Sequence, residues 1–205
     1  MKLYETAMTP SAQRVNLFLL EKGIQVERVS MNVRAGDNLT PEFAAKSPTG
    51  KIPLLELDDG TCLVESIAIC RYFDALHPDE LALFGRTPLE QAQVEMWSRV
   101  VEIYGLQIAF QAFRHTTGVY ADRERCIRAW GDEALLRLKE FLPKLERRLG
   151  EADYLAGEHY SVADITAYVL VRMLPRFDIE VNSPHLARWM ERIEARPAVQ
   201  TLNLT

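Results

Sequence analysis

The apolar pattern of this chain changes character once, near His77, and that change limits the folds open to it. Before it, short strand and helix signals alternate. Residues 2–6 read as a strand, and Thr9-Pro10-Ser11 breaks it. Val15, Phe18 and Leu19 then follow helical spacing to a Lys22-Gly23 stop. Residues 24–31 alternate as a second strand, with Ile24, Val26 and Val29 apolar, and a polar stretch over 32–40 leads to a short helix over 41–45. Residues 52–57 and 61–64 flank Asp58-Asp59-Gly60, a hairpin signal. Ile67, Ile69, Tyr72 and Phe73 recur at helical spacing over 65–76. The order is βαβαββα over residues 1–77. Residues 77–88 carry two prolines and a glycine and read as a linker. Over 88–205 only helical periodicity remains, at 90–113, 123–149, 162–173 and 184–195. A small α/β unit followed by helices alone predicts two domains rather than one doubly wound sheet.

Charge and cysteine usage narrow the function classes. Residues 1–76 hold 8 basic and 10 acidic groups and the remainder 16 and 19, so neither half is a basic module suited to nucleic acid. Cys62, Cys70 and Cys126 form no CxxC and share no metal-ligand spacing with the four histidines, so no metal is expected. An odd, sparse set of cysteines fits a reducing compartment. The opening MKLYETAMTP lacks the apolar core of a signal peptide, and no apolar run approaches the ~20 residues of a membrane span. The expectation is a cytoplasmic protein with neither nucleic-acid nor membrane partner.

Three segments carry a family resemblance. Ser47-Pro48-Thr49-Gly50-Lys51-Ile52-Pro53 resembles the loop before the third strand of glutathione S-transferases. Glu65-Ser66-Ile67-Ala68-Ile69 resembles the family's Glu-Ser-x-Ala-Ile helix start, at the family's spacing from that loop. Ser161-Val162-Ala163-Asp164 resembles the capping box of the family's buried C-terminal helix. The match runs in order along nearly the whole chain. The TPSAQRV stretch is similar to phi, theta and zeta classes and their bacterial and fungal relatives, and lacks the tyrosine of alpha, mu and pi members. The resemblance implies a thioredoxin-like N-terminal domain followed by an all-helical C-terminal domain. It further implies glutathione as co-substrate, a homodimer, and conjugation to small apolar electrophiles of the kind that serves detoxification. Isomerase, dehalogenase or peroxidase activity on the same fold, or a non-catalytic interaction role, are the alternatives.

The residue chemistry agrees with that expectation. A proline after Ile52 removes a ladder donor at a strand start. The family implies a cis Ile52-Pro53 bond, which turns the N–H and C=O of Ile52 toward a ligand. Glu65 and Ser66 stand where a helix begins, with unpaired N–H groups and a dipole that favour an anion. The serine and those N–H groups suit a γ-glutamyl carboxylate, and the Glu65 carboxylate suits its ammonium. Lys51 is a point charge suited to the glycyl carboxylate. The resemblance places Asn38 where phi-like relatives carry a histidine for that same carboxylate, and gives Tyr104 and His115 to the electrophile pocket.

Thiol activation is within reach of one hydroxyl. Lowering a thiol pKa by about two units requires ~2.7 kcal/mol. A hydrogen bond to a charged group supplies ~1.5–3 kcal/mol and a helix N-terminus ~0.3–1. Thr9 falls where phi- and zeta-like relatives carry the activating serine, and Ser11 nearer the zeta-class cysteine. Thr9 is the first choice and Ser11 the second. A backbone N–H, or a water held by His115, is the third. Plain helix capping accounts for either hydroxyl without catalysis.

Overall fold

The computed structural model describes residues 1–204 and divides into two compact units. The first comprises Met1–Ala82 together with the chain from Arg196 onward, and the second is Leu83–Ala195.

The first unit is built on strands β1 (Lys2–Glu5), β2 (Glu27–Ser30), β3 (Leu54–Glu56) and β4 (Cys62–Val64), with spatial order β2-β1-β3-β4. β1 and β2 are parallel, while β3 runs antiparallel to both β1 and β4. Helix α1 (Pro10–Glu21) makes the crossover from β1 to β2, and α2 (Pro41–Lys46) lies between β2 and β3. Helix α3 (Ser66–Leu76) follows β4. Period-two alternation divides the strands between two faces. Leu54 packs with Met31 and with Phe43 of α2, joined by Tyr4, Ile52, Cys62 and Val64. Leu3 and Leu55 point the other way, where Val15, Phe18 and Leu19 of α1 and Ile69 and Phe73 of α3 are equally inaccessible. Burying each such side chain contributes about 1.5–3 kcal/mol. Lys22 joins the ends of α1 and α3 through Asp74 at 2.8 Å and Asp79 at 3.1 Å, with its own side chain 1% exposed.

The strand expected over 24–31 shortens to Glu27–Ser30, because its ladder partner β1 offers only four residues. A helix absent from the sequence expectation, α9 (Pro197–Leu204), belongs to this unit and packs on α1. Just before it, Arg196 grips Glu21 with two parallel hydrogen bonds of 2.6 and 2.7 Å.

The second unit contains α4 (Pro88–Val101), α5 (Gln107–Thr117), α6 (Arg128–Glu151), α7 (Val162–Val171) and α8 (Pro184–Glu194). The helix expected over 90–113 is interrupted by a π-helical turn, Glu102–Leu106. Gly105 in that turn lies tight against two neighbouring helices. A Cβ there would stand 2.5 Å from Leu170 Cδ2 and 2.8 Å from Phe141 Cε1, so only glycine lets α6 and α7 approach. The helix expected over 123–149 instead starts at Arg128 and ends at Glu151. Residues 118–127 form a turn and a loop, in which Arg114 and Arg123 both stack on Tyr120 and Arg114 pairs with Glu124 at 2.6 Å. Helical periodicity suggested an earlier start, but these side-chain pairs hold residues 118–127 as a loop.

Every residue of α7 is buried, and its N-terminus is organised by Asp164, which is wholly inaccessible. One carboxylate oxygen accepts the Ser161 N–H and the Ser161 hydroxyl, both at 3.0 Å. The other accepts the Leu155 N–H at 3.0 Å and the Trp189 indole N–H of α8 at 3.1 Å. Burial pushes the Asp164 carboxyl above its usual range, against the opposing pull of these four donors. The expected capping box is therefore present, and its acid also ties α7 to α8. Replacing Asp164 with alanine strands several buried donors, each worth ~1–3 kcal/mol, so Asp164→Ala is expected to lower the unfolding free energy by roughly 3 kcal/mol or more. Urea titration measures this, and a loss below ~1 kcal/mol would remove Asp164 as the organiser of the helical unit.

Candidate functional site

The register of the sheet gathers four segments at one end. Tyr4 pairs with Leu54, and Leu54 pairs with Val64 on its other side. The end of β1, the start of β3 and the end of β4 are therefore neighbours, and the end of β2 joins them through the Met31 N–H on the Glu5 carbonyl at 2.7 Å. From that end leave the 6–9 turn into α1, the 47–53 loop, Glu65-Ser66, and the 32–40 stretch with its 3₁₀ turn Asp37–Leu39. Eight of the ten residues selected from sequence lie on these segments: Thr9, Ser11, Asn38, Lys51, Ile52, Pro53, Glu65 and Ser66. A buried polar cluster stiffens the floor beneath them. Glu5, 3% exposed, accepts from Asn16 Nδ2 at 2.8 Å and is paired with Arg28.

Ile52-Pro53 is cis. Ile52 lies beyond the last ladder pair of β3, so the sheet does not use its N–H or C=O. Its side chain packs on the Met31–Phe43–Leu54 cluster, which fixes the residue while its backbone stays outside the ladder.

Glu65 adopts φ +68° and ψ 114°, a conformation rarely taken by a residue with a side chain. It is exposed, whereas Ser66 is 2% exposed and its Oγ is buried without a hydrogen-bond partner. The first bond of α3 runs from the Ile69 N–H to the Glu65 carbonyl at 3.0 Å, leaving the N–H groups of Ser66, Ile67 and Ala68 without helical partners. A buried hydroxyl beside open amides at a helix start is a cradle for an anion, and the carboxylate one residue earlier attracts a cation. Together they match the two charges of an α-amino acid group.

The two candidate activators differ in how their protons are used. Thr9 is the N-cap of α1 but makes no side-chain cap; its Oγ1 donates to the Thr6 carbonyl at 2.8 Å. A hydroxyl has a single proton, so in this arrangement Thr9 has none to offer a thiolate. The Ser11 hydroxyl, half-buried in the first turn of α1, is not committed in this way. Met8, immediately before Thr9, is 66% exposed, an apolar group that sequence reading passed over.

Asn38 is buried and faces the 47–53 loop, while Lys51 is exposed. Tyr104 and His115 belong to the second unit. Tyr104 lies on the π-turn and is 60% exposed. His115, near the end of α5, is half-buried, and its Nδ1 accepts the Ile127 N–H at 3.0 Å, which leaves Nε2 as the nitrogen for any further partner. Cys70 is buried, and burial pushes its thiol up to about 12. Cys62 is partly exposed; desolvation and the Glu56 charge raise its pKa too. Neither thiol is poised for exchange chemistry.

Comparison with known proteins shows which family the chain belongs to. Residues 3–81 match the family model of the glutathione S-transferase N-terminal domain, and residues 128–197 that of the C-terminal domain. A class Gtt2 glutathione S-transferase structure from Vibrio parahaemolyticus is 55% identical, with TM-score 0.89, covering 100% of this chain and 98% of that one. Glutathione S-transferase 2 of Saccharomyces cerevisiae is 33% identical, the match covering 98% of this chain and 89% of the yeast protein. The yeast Gtt2 crystal structure superposes with TM-score 0.92 at 32% identity, covering 98% of this chain and 100% of that one. Glutathione S-transferase 4 of Zea mays is 36% identical, covering 96% of this chain and 89% of the maize protein. The chain belongs to the glutathione S-transferase family and is a transferase.

The strained Glu65 lets backbone and side-chain roles be separated. Glycine carries no penalty at positive φ, and relief of strain is worth ~1–3 kcal/mol against ~0.5–1 for the added chain freedom. Glu65→Gly is therefore expected to hold or raise the melting temperature, read by thermal denaturation. A variant that melts lower would mean that the Glu65 side chain stabilises the fold itself.

Proposed function

We propose that this transferase conjugates the thiolate of glutathione to small apolar electrophiles. The observation that carries the proposal is the buried, unpartnered Ser66 Oγ at the start of α3, beside the exposed Glu65 carboxylate. Ser66 and the open first-turn amides receive the γ-glutamyl carboxylate, and Glu65 receives its ammonium. The N–H and C=O of Ile52 pair with the cysteinyl backbone as an added strand would. Lys51 meets the glycyl carboxylate. This arrangement lays the tripeptide across the sheet end with its thiol toward the start of α1.

There the donors are the Ser11 hydroxyl and the unpaired amides of the first helical turn. The positive end of α1 favours the anion further. Met8, and Leu39 at 55% exposure, offer apolar surface on the same unit, which supports an apolar second substrate. Tyr104 and His115 remain the proposed electrophile contacts of the helical unit. Three free cysteines support a reducing, cytoplasmic setting. Among the described residues no helix is long and apolar enough to cross a membrane, and no group of side chains could hold a metal ion.

The decisive measurement is the thiolate's ultraviolet absorbance in the glutathione complex, titrated against pH. Ser66→Ala should weaken glutathione binding roughly ten- to hundredfold, because a charged hydrogen bond is worth ~1.5–3 kcal/mol. Ser11→Ala should leave affinity within a few fold but raise the bound thiol's pKa by roughly one unit, since ~1.4 kcal/mol of anion preference is lost. Thr9→Ala should leave the titration in place. A shift with Thr9→Ala and none with Ser11→Ala would transfer activation to Thr9.

The proposed assembly is a homodimer. Leu89, Met96 and Ile103 follow at seven-residue intervals along α4 and its π-turn, at 68%, 50% and 51% exposure, with Tyr104 beside them. That spacing keeps them on one helical face, and a second copy would cover it. Sedimentation should give a dimer at micromolar concentration, and the pair Met96→Lys with Ile103→Lys should give a folded monomer. A wild-type monomer would end this reading.

A further inference from the structure

One hydrogen bond ties together two loops at the site end of the sheet. Asn38, in the 3₁₀ turn Asp37–Leu39, is 8% exposed, and its Nδ2 donates to the Gly50 carbonyl at 2.7 Å. A carbonyl can only accept, so the arm facing Gly50 is the NH₂ and the opposite arm is Oδ1. That Oδ1 is buried and has no hydrogen-bond partner. Gly50 closes a tight turn, with its N–H on the Ser47 carbonyl at 3.2 Å and φ +61°. The Ser47 hydroxyl, itself buried, donates to the Lys51 carbonyl at 3.3 Å. The peptide held by Asn38 is thus the one that leads directly into Lys51.

This arrangement is wrong for a carboxylate ligand. One arm of the amide is engaged by Gly50, and the other is an acceptor that repels an anion. It is suited to fixing the backbone from which Lys51 projects, and the place of that peptide sets where the four-carbon stem begins. We infer that Asn38 is a positioning residue for glutathione binding: it clamps the Gly50 carbonyl and thereby aims Lys51 at the glycyl carboxylate, without touching the ligand. This rests on the glutathione reading above. Without the clamp, the Gly50–Lys51 peptide keeps its bonds to Ser47 but becomes less ordered, and that ordering is charged to the binding step.

The test is a double-mutant cycle read by calorimetry with glutathione. Asn38→Ala and Lys51→Ala should each weaken binding roughly five- to twentyfold, and the double variant should be no weaker than Lys51→Ala by more than about twofold. Turnover of Asn38→Ala at saturating glutathione should stay within about twofold of wild type, so the effect falls on KM. In ligand-free Asn38→Ala, amide hydrogen exchange at residues 50–52 should accelerate while the strands keep their protection. Asn38→Gln, which keeps the amide donor, should restore part of the affinity. Multiplicative losses in the double variant would mean that Asn38 acts on the ligand independently of Lys51, and would overturn the inference. Unchanged exchange around Gly50 would do the same. Should Asn38→Ala fail to fold, Asn38→Ser, too short to reach Gly50, carries the same cycle. A wild-type protein without affinity for glutathione would remove the functional reading and this inference together. An additive cycle in a binding-competent wild type removes the inference alone.

Discussion

Leu54 sits between Tyr4 and Val64, and the ladder it completes determines where chemistry can occur in the first unit. A strand antiparallel to both neighbours brings the start of β3 beside the ends of β1 and β4. A cis peptide, a helix N-terminus and a strained helix start therefore converge without any of them contacting the others in sequence. Shifting β3 by one residue would also turn Leu54 and Leu55 to the wrong faces and undo both cores. The same packing that stabilises the sheet thus fixes the site, and the loops need carry only chemistry.

Each unit also centres on a buried acid whose partners come from distant segments. In the first, Glu5 is held by Asn16 of α1 and Arg28 of β2. In the second, Asp164 gathers the start of α7, the loop at Leu155 and Trp189 of α8. A buried carboxylate is costly unless satisfied, so such clusters allow one arrangement of the surrounding elements and penalise others. At the functional end the rule is reversed. The Oγ of Ser66, equally buried, has no hydrogen-bond partner among the described residues, which supports its place in the proposed site.

The sequence made the elements and their order legible because strand and helix periods are strong local signals, and the Asp58-Asp59-Gly60 turn marks its hairpin. Glu65 and Ser66 were legible through their place at a strand-to-helix junction. What was not legible depended on which partner a side chain takes once the chain is folded. The Thr9 hydroxyl looks like a cap or a catalyst, but the geometry gives its proton to Thr6. Asn38 reads as a ligand because its type and position suit one; its bond to Gly50, twelve residues on, leaves no local pattern. Likewise the π-turn at Gly105 answers to Leu170 and Phe141, which helical periodicity along α4 cannot report. The last helix went unseen because Pro197 and a short polar stretch conceal its periodicity.

The pairing of Arg196 with Glu21 has a consequence for how the chain comes into being. Glu21 ends α1 early in synthesis, and its side chain is only 6% exposed. Its guanidinium partner leaves the ribosome after the whole second unit has been made, ~10 s later at typical elongation rates. Until then α1 lacks the cover of α9 and Glu21 has no counter-charge, so its carboxylate stays hydrated. The first unit thus holds both earlier and later parts of the chain and is completed only after the second has been made. The second unit, whose residues are contiguous, can mature beforehand.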